Sequence, residues 1–294
     1  MRLLILHSIA PMTILKKAGP LAALLLCLCL YPAAQTSAQS GEESKIVKAP
    51  PKGMTEDEVI RRFAAREKEF RDARENYTFR QDVKAQTLEG TTVTGEYRQV
   101  VDVTFDDKSR RRENVVFSPQ STLEQGGIGM TTEDYEDLQH SYPFVLTTDE
   151  LPEYQVRYLG TEHVDEIDTY VFDIAPKTLA KGRRYFQGRI WVDDRDYQIV
   201  KTRGKPVGAA TKYGDQEQQF ATFTTYREQI DGKHWFPTYS RADEVLHFPP
   251  TKKSPGSDVH FRVIVKYTDY KQFGSRTRIT FGDEEIKKEN EAKK

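Results

Sequence analysis

The stretch Tyr97-Arg98-Gln99-Val100-Val101-Asp102-Val103-Thr104-Phe105 decides the fold class. Tyr97, Gln99, Val101, Val103 and Phe105 fall on one side, and Arg98, Val100, Asp102 and Thr104 on the other. Successive strand side chains point to opposite faces, so a period of two describes a half-buried β-strand. The β-branched and aromatic content agrees. The same period runs through Tyr77, Phe79, Gln81 and Val83, and Val115 to Phe117 gives a shorter strand after Arg110-Arg111-Arg112.

Upstream the period is helical. Thr55-x-x-Glu58 is a capping box, in which hydroxyl and carboxylate satisfy exposed backbone donors. Val59, Ile60, Phe63, Ala64, Phe70 and Ala73 then mark one stripe of an amphipathic helix ending near Glu75. Residues 39–53 are polar, carry Pro50-Pro51, and are expected to be a flexible leader. Downstream, residues 119–152 break the rhythm with Gly126-Gly127-Ile128-Gly129 and a short helix from Thr132 to Gln139. An insertion of this length is either functional or loose.

Strands resume at Tyr154 to Val164, Tyr170 to Ala175, Arg184 to Val192, Tyr197 to Thr202, Gln219 to Ile230, His234 to Leu246 and Val259 to Phe273. Asp193 to Asp196 and Asp231-Gly232 serve as turns. The expectation is mainly β (α+β): a curved antiparallel sheet forming an incomplete barrel. An N-terminal amphipathic helix and short lid helices would cover it, because many long strands with few helices must hide their apolar face. One domain spans 54–281, and 282–294 is a polar, disordered tail.

Composition narrows the function classes. The 294 residues carry 44 Lys+Arg against 45 Asp+Glu, which argues against a dedicated nucleic-acid binder. The 15 Tyr and 15 Phe argue against global disorder. Lys16-Lys17, the apolar run Leu21 to Leu30, and Thr36-x-Ala38 describe a secretory signal over 1–38 with cleavage after Ala38, whether Met1 or Met12 starts the chain. The apolar run is far shorter than the ~20 residues that span a bilayer. Both cysteines, Cys27 and Cys29, lie inside it, so the mature chain has no disulfide or thiolate site. Removing Arg2, Lys16 and Lys17 leaves 41 basic against 45 acidic residues, a formal charge of −4. A periplasmic protein without a membrane span is expected.

Five segments carry a resemblance: Tyr77-Thr78-Phe79, Tyr158 to Val164, Thr169 to Lys177, Gly188-Arg189-Ile190-Trp191-Val192-Asp193, and Ile199-Val200-Lys201. Their succession resembles the periplasmic lipoprotein-carrier superfamily, the LolA/LolB-like and RseB-like proteins. The resemblance implies an eleven-stranded incomplete barrel with helices over its open side. It also implies an apolar cavity that accepts a lipid or the acyl chains of lipoproteins, with no enzymatic chemistry and no cofactor. Envelope proteins would be the donor and acceptor. A protein-interaction or sensing module of the same fold, without a ligand, is the alternative.

The candidate ligand-binding residues come from strand alternation: Val101, Val103, Phe105, Phe172, Ile174, Phe186, Ile190, Val192, Phe220 and Phe261. Ordinary core packing is the commoner use of such residues. Lys177, Lys181, Arg183 and Arg184, and Arg110 to Arg112, could meet anionic headgroups or simply be solvated loops. Glu162-His163-x-Asp165-Glu166 and Asp193 to Asp196 read as turns before metal sites, the latter lacking the Gly and distal Glu of an EF-hand. No G-x-S-x-G, H-E-x-x-H or phosphate-cradling loop is present, so no catalytic or metal residue is assigned.

Overall fold

The computed structural model describes residues 46–106, 108–130, 132–139, 144–181, 183–208, 221–250 and 255–273. The expected signal at 1–38, residues 39–45 of the leader, Phe220 and the 282–294 tail lie outside the described residues. All described residues belong to one compact unit, Ser44–Lys294.

The helical stripe forms α1, Glu56–Arg74. Thr55 caps it, its hydroxyl accepting from the Glu58 amide at 3.2 Å. Glu56, Asp57 and Glu58 in the first turn and Arg71 and Arg74 in the last complement the helix dipole. Ten strands follow among the described residues: β1 Tyr77–Glu89, β2 Thr92–Phe105, β3 Arg111–Phe117, β4 Tyr154–Val164, β5 Ile167–Pro176, β6 Arg184–Asp193, β7 Ile199–Gly208, β8 Phe223–Gln229, β9 Trp235–Phe248 and β10 Ser257–Gln272. A second helix, α2, spans Thr132–Gln139, and short 3-10 turns lie at Leu123–Gly126 and Leu151–Glu153.

The strands form one curved antiparallel sheet, not closed into a barrel, in the order β3-β2-β1-β10-β9-β8-β7-β6-β5-β4. Every neighbour is also a sequence neighbour except β1 and β10, whose pairing runs from Tyr77↔Gln272 to Leu88↔His260. That pairing makes β3 and β4 the two edges. The chain between them, residues 118–153, therefore has to pass from one edge of the sheet to the other. This is the physical reason for the long break in the strand rhythm.

The described part of that connector supplies buried side chains to two separate clusters. Leu123, Ile128 and Leu138 pack with β1, β2, β9 and β10, and Leu146 packs with α1 and β4 to β7. The β4–β7 part is also covered on its other face. There Val171, Trp191 and Val200 pack with Ile46, Leu159, Val164, Ile167 and Trp235. Thr169 to Phe172 are accordingly all buried, so the alternation of buried and exposed residues lapses in β5.

Residues 46–53, expected within a flexible leader, are tied to the domain. Val47 exchanges backbone hydrogen bonds with Thr161, and Ala49 O accepts from the Tyr158 hydroxyl at 2.8 Å.

Candidate ligand-binding face

The face that carries α1 divides into two apolar clusters with a polar band between them. Under α1, the fully buried Val59, Phe63 and Ala64 meet Tyr170, Phe172, Ile174, Ile190, Val192 and Ile199. Phe63 and Phe172 have ring centroids 5.4 Å apart. Phe144 stacks on Phe186 at 4.3 Å. The Phe186 ring takes the space above Gly204, where an added Cβ would sit 2.5 Å from the ring tip. Only glycine lets the ring lie that close to the sheet.

The second cluster has a floor of Val83, Ala85, Tyr97, Ala242, Leu246, Val259, Phe261, Val263 and Val265. Ala85 is level with Tyr97 and Val263, and Val263 with Ala242, so this floor crosses four adjacent strands. Among the described residues its cover is slight: the Leu123–Gly126 turn, Ile128, and α2 through Leu138, with Tyr135 against Tyr97 at 4.9 Å. Met130, Phe223 and Phe248 are half-buried at its margin.

The polar band centres on a buried ion pair. Arg227 Nη1 donates to both Glu67 oxygens, at 2.9 and 3.1 Å, and both side chains are almost wholly excluded from solvent. Arg227 Nη2 donates to the Phe144 carbonyl at 2.5 Å, and the Ile199 amide donates to Glu67 at 3.4 Å. Burial pushes the Glu67 carboxyl up, while Arg227, the Ile199 amide and Arg74 pull it down; burial prevails. Arg227 also lies 5.0 Å over the Phe70 ring. Beside it, Thr225 and Ser240 share a hydrogen bond of 2.8 Å. Burial raises Tyr267 to about 12 and Tyr270 well above its ordinary value. Tyr270 donates to the Pro237 carbonyl at 2.7 Å.

At the end of the sheet, Tyr77 donates to Asp231 at 2.7 Å and the His234 ring lies 2.8 Å from the same oxygen. Burial pushes Asp231 up. The His234 ring and amide, the Tyr77 hydroxyl and the Lys233 amide outweigh it, and hold the carboxyl well below the usual range. Burial, and then Asp231, push Tyr77 up to about 12.

The sequence-derived candidates separate into groups. Phe172, Ile174, Ile190 and Val192 are buried under α1, with Phe186 half-buried beside them. Phe261 lies in the second floor. Val101 and Val103 are buried on β2, level with Gln81 and Phe79, and Phe105 is half-buried at its end. Phe220 lies outside the described residues, although Ala221 next to it packs in the second cluster. Sequence reasoning missed the connector residues Leu123, Ile128, Leu138 and Leu146, and the pair Glu67–Arg227. Glu67 carried a signal: it stands four residues after Phe63 and three before Phe70, on the buried stripe itself.

The basic clusters are engaged locally. Arg110 and Arg112 pair with Asp106 at 2.8 and 2.9 Å, and Arg183 with Glu153 at 2.7 Å. His163 pairs with Asp168, and Asp193 accepts the amides of Arg195 and Asp196 within its own turn. Among the described residues no group of three His, Cys, Asp or Glu is arranged for a metal ion, and no helix is long and apolar enough to cross a membrane.

No family model matches the chain, and no curated protein does. Solved structures similar to it include an outer membrane lipoprotein-sorting protein domain from Vibrio parahaemolyticus. Identity there is 12%, over 78% of this chain and 97% of that one, with a TM-score of 0.34. A DUF1329 family protein from Desulfovibrio piger is 14% identical over 72% of this chain and 95% of that one, at a TM-score of 0.31. MucB, solved in complex with MucA(peri), is 9% identical over 74% of this chain and 99% of that one, at a TM-score of 0.20. These are likenesses of chain path.

Proposed function

We propose that this chain is an exported, non-enzymatic protein that binds a lipid, or the acyl chains of a lipoprotein, in an apolar groove for transport or sorting in the cell envelope. One observation carries the reading. The floor formed by β2, β1, β10 and β9 is broad and apolar, yet among the described residues only a four-residue turn, Ile128 and an eight-residue helix cover it. Elements this short do not hold their shape alone, so the cover depends on the floor beneath it and opens at low cost. Each methylene that replaces water against the floor contributes roughly 0.8 kcal/mol, and no catalytic group is needed.

In this reading Phe261, with Val101, Val103 and Phe105 toward the β3 edge and Phe220 beyond Ala221, contacts ligand first. Phe172, Ile174, Phe186, Ile190 and Val192 form a fixed wall beneath α1. Residues 1–38 act as the export signal, cleaved after Ala38 into the periplasm, and 282–294 as a polar tail.

Native mass spectrometry of the chain purified from a lipid-containing host tests this. A discrete added mass that extracts as lipid is the expected result. Phe248→Asp, at the margin of the floor, should lose that mass and saturable binding of a fluorescent fatty acid while keeping its circular dichroism. A clean unliganded mass, unchanged after incubation with lipid or acylated peptide, would favour the interaction or sensing module instead.

A further inference from the structure

Residues Ile46 to Lys52 lie on the domain much as a bound peptide lies on a receptor. The backbone of Val47 exchanges both hydrogen bonds with Thr161 on the edge of β4, at 2.8 and 2.9 Å, in antiparallel sense. Gly160 makes the approach feasible: a Cβ there would sit 2.2 Å from the Val47 carbonyl oxygen. One side chain acts as an apolar anchor, Ile46, which packs against the cluster of Val171, Trp191 and Val200. Another acts as a cationic anchor. Lys52 Nζ lies 2.7 Å from Asp194 and 3.6 Å from Asp168, and its amide donates to the Tyr170 hydroxyl at 3.3 Å. The Tyr158 hydroxyl reads the Ala49 carbonyl between them. Backbone pairing to a sheet edge plus spaced side-chain anchors is the physics of strand addition.

The segment is also weakly held. Among the described residues its bridge to β4 involves Val47 alone, and Val47 remains 62% exposed. Pro50-Pro51 lack backbone donors, so pairing cannot spread in that direction. The Lys52 head is mostly exposed, which makes its ion pairs weak. β4 itself continues through Glu162, His163 and Val164. A longer strand could pair with more of this edge than Val47 does.

We propose that the outer edge of β4 is a peptide-binding site occupied in cis by residues 46–52. Its partner in trans is an extended peptide segment with a large aliphatic residue six positions before a lysine or arginine. The carboxylates of Asp168 and Asp194 select the cation, and the Trp191 cluster selects the aliphatic side chain. The site lies at the β4 edge, apart from the floor of β2, β1, β10 and β9 proposed to hold lipid. While the segment is seated, it also shields an edge that would otherwise invite uncontrolled pairing.

The test uses the full chain, its Ile46→Asp variant and a labelled peptide of residues 44–54. Ile46→Asp unseats the segment. It should shift Trp191 emission, speed amide exchange at Thr161, and leave the far-ultraviolet spectrum unchanged. The peptide should then bind the variant about an order of magnitude or more tighter than the native chain, because apparent affinity scales with the fraction of free seats. The same peptide with Lys52→Glu should lose that binding. A folded Ile46→Asp chain that fails to bind the peptide, or that binds both peptides alike, overturns the proposal. So does equal binding by the native and variant chains.

Discussion

The two halves of the α1-bearing face use similar strand chemistry and are closed by different means. Over β4 to β7 lies a nineteen-residue helix with a capped start, fully buried Val59, Phe63 and Ala64, and an ion pair to β8 through Glu67. Over β2, β1, β10 and β9 lie, among the described residues, a short turn, Ile128 and the eight-residue α2. A long helix with a broad buried stripe is stable through its packing, whereas a two-turn helix is marginal by itself. The difference teaches where a half-barrel can open without unfolding. In the proposed reading the helix half acts as a frame, and the connector half as a cover whose opening exposes apolar floor.

The largest effect should come from Arg227→Met. It strands the buried Glu67 carboxylate, so urea unfolding should show a loss of about 3–5 kcal/mol. The double variant Glu67→Leu/Arg227→Met should recover most of that. If Arg227→Met unfolds at the native midpoint, the helix half is not the frame and the contrast fails.

Leu138→Ala probes the other half. The short cover can settle into the space left, so the cost should fall near ~2 kcal/mol, the low end for a buried leucine. Amide exchange should rise in the Leu123–Leu138 segment while α1 stays protected. Equal acceleration in α1 would mean that the halves open together.

Asp231 sits where β1 meets the β8–β9 turn, and gives a pH test. Its folded value is depressed, so its contribution is fully present above the ordinary carboxylate value of ~3.9. That contribution is lost as pH falls below this value toward the folded one. Asp231→Asn should cost roughly 1.5 kcal/mol at neutral pH, the low end for hydrogen bonds to a charged group. It should also flatten stability against pH below that range. An unchanged acid slope would remove Asp231 from the account.

A last test lies on the opposite face of the helix half. Lys201 Nζ lies 4.8 Å from the Trp191 ring and 5.3 Å from that of Tyr226. Lys201 is buried, so Lys201→Met, which keeps the stem and removes the charge, should cost about 2 kcal/mol in thermal unfolding. A larger loss would mean that the charge itself holds this layer together.

Much of the fold was legible because its signals are local. The capping box at Thr55, the stripe of α1 and the period of two in β1 and β2 each follow from a few neighbouring residues. Glu67 shows the limit. Its place on the stripe marked it as buried, but nothing nearby in sequence pointed to Arg227 on β8. The candidate residues show the same limit. Alternation found apolar faces in β2, β5, β6 and β10, yet could not say which lie under a long helix and which under a slight cover.

By itself the sequence determined the class of the protein: a capped amphipathic helix, a succession of antiparallel strands and a break between two of them. Only tertiary structure decided that β1 pairs with β10, leaving β3 and β4 as edges and sending the connector between them. It alone seated Ile46 to Lys52 on β4 and Glu67 on Arg227. The reason is range. Periodicity and capping are set by residues within a few positions of one another, whereas pairing, curvature and cover arise from burial shared by segments far apart in the chain.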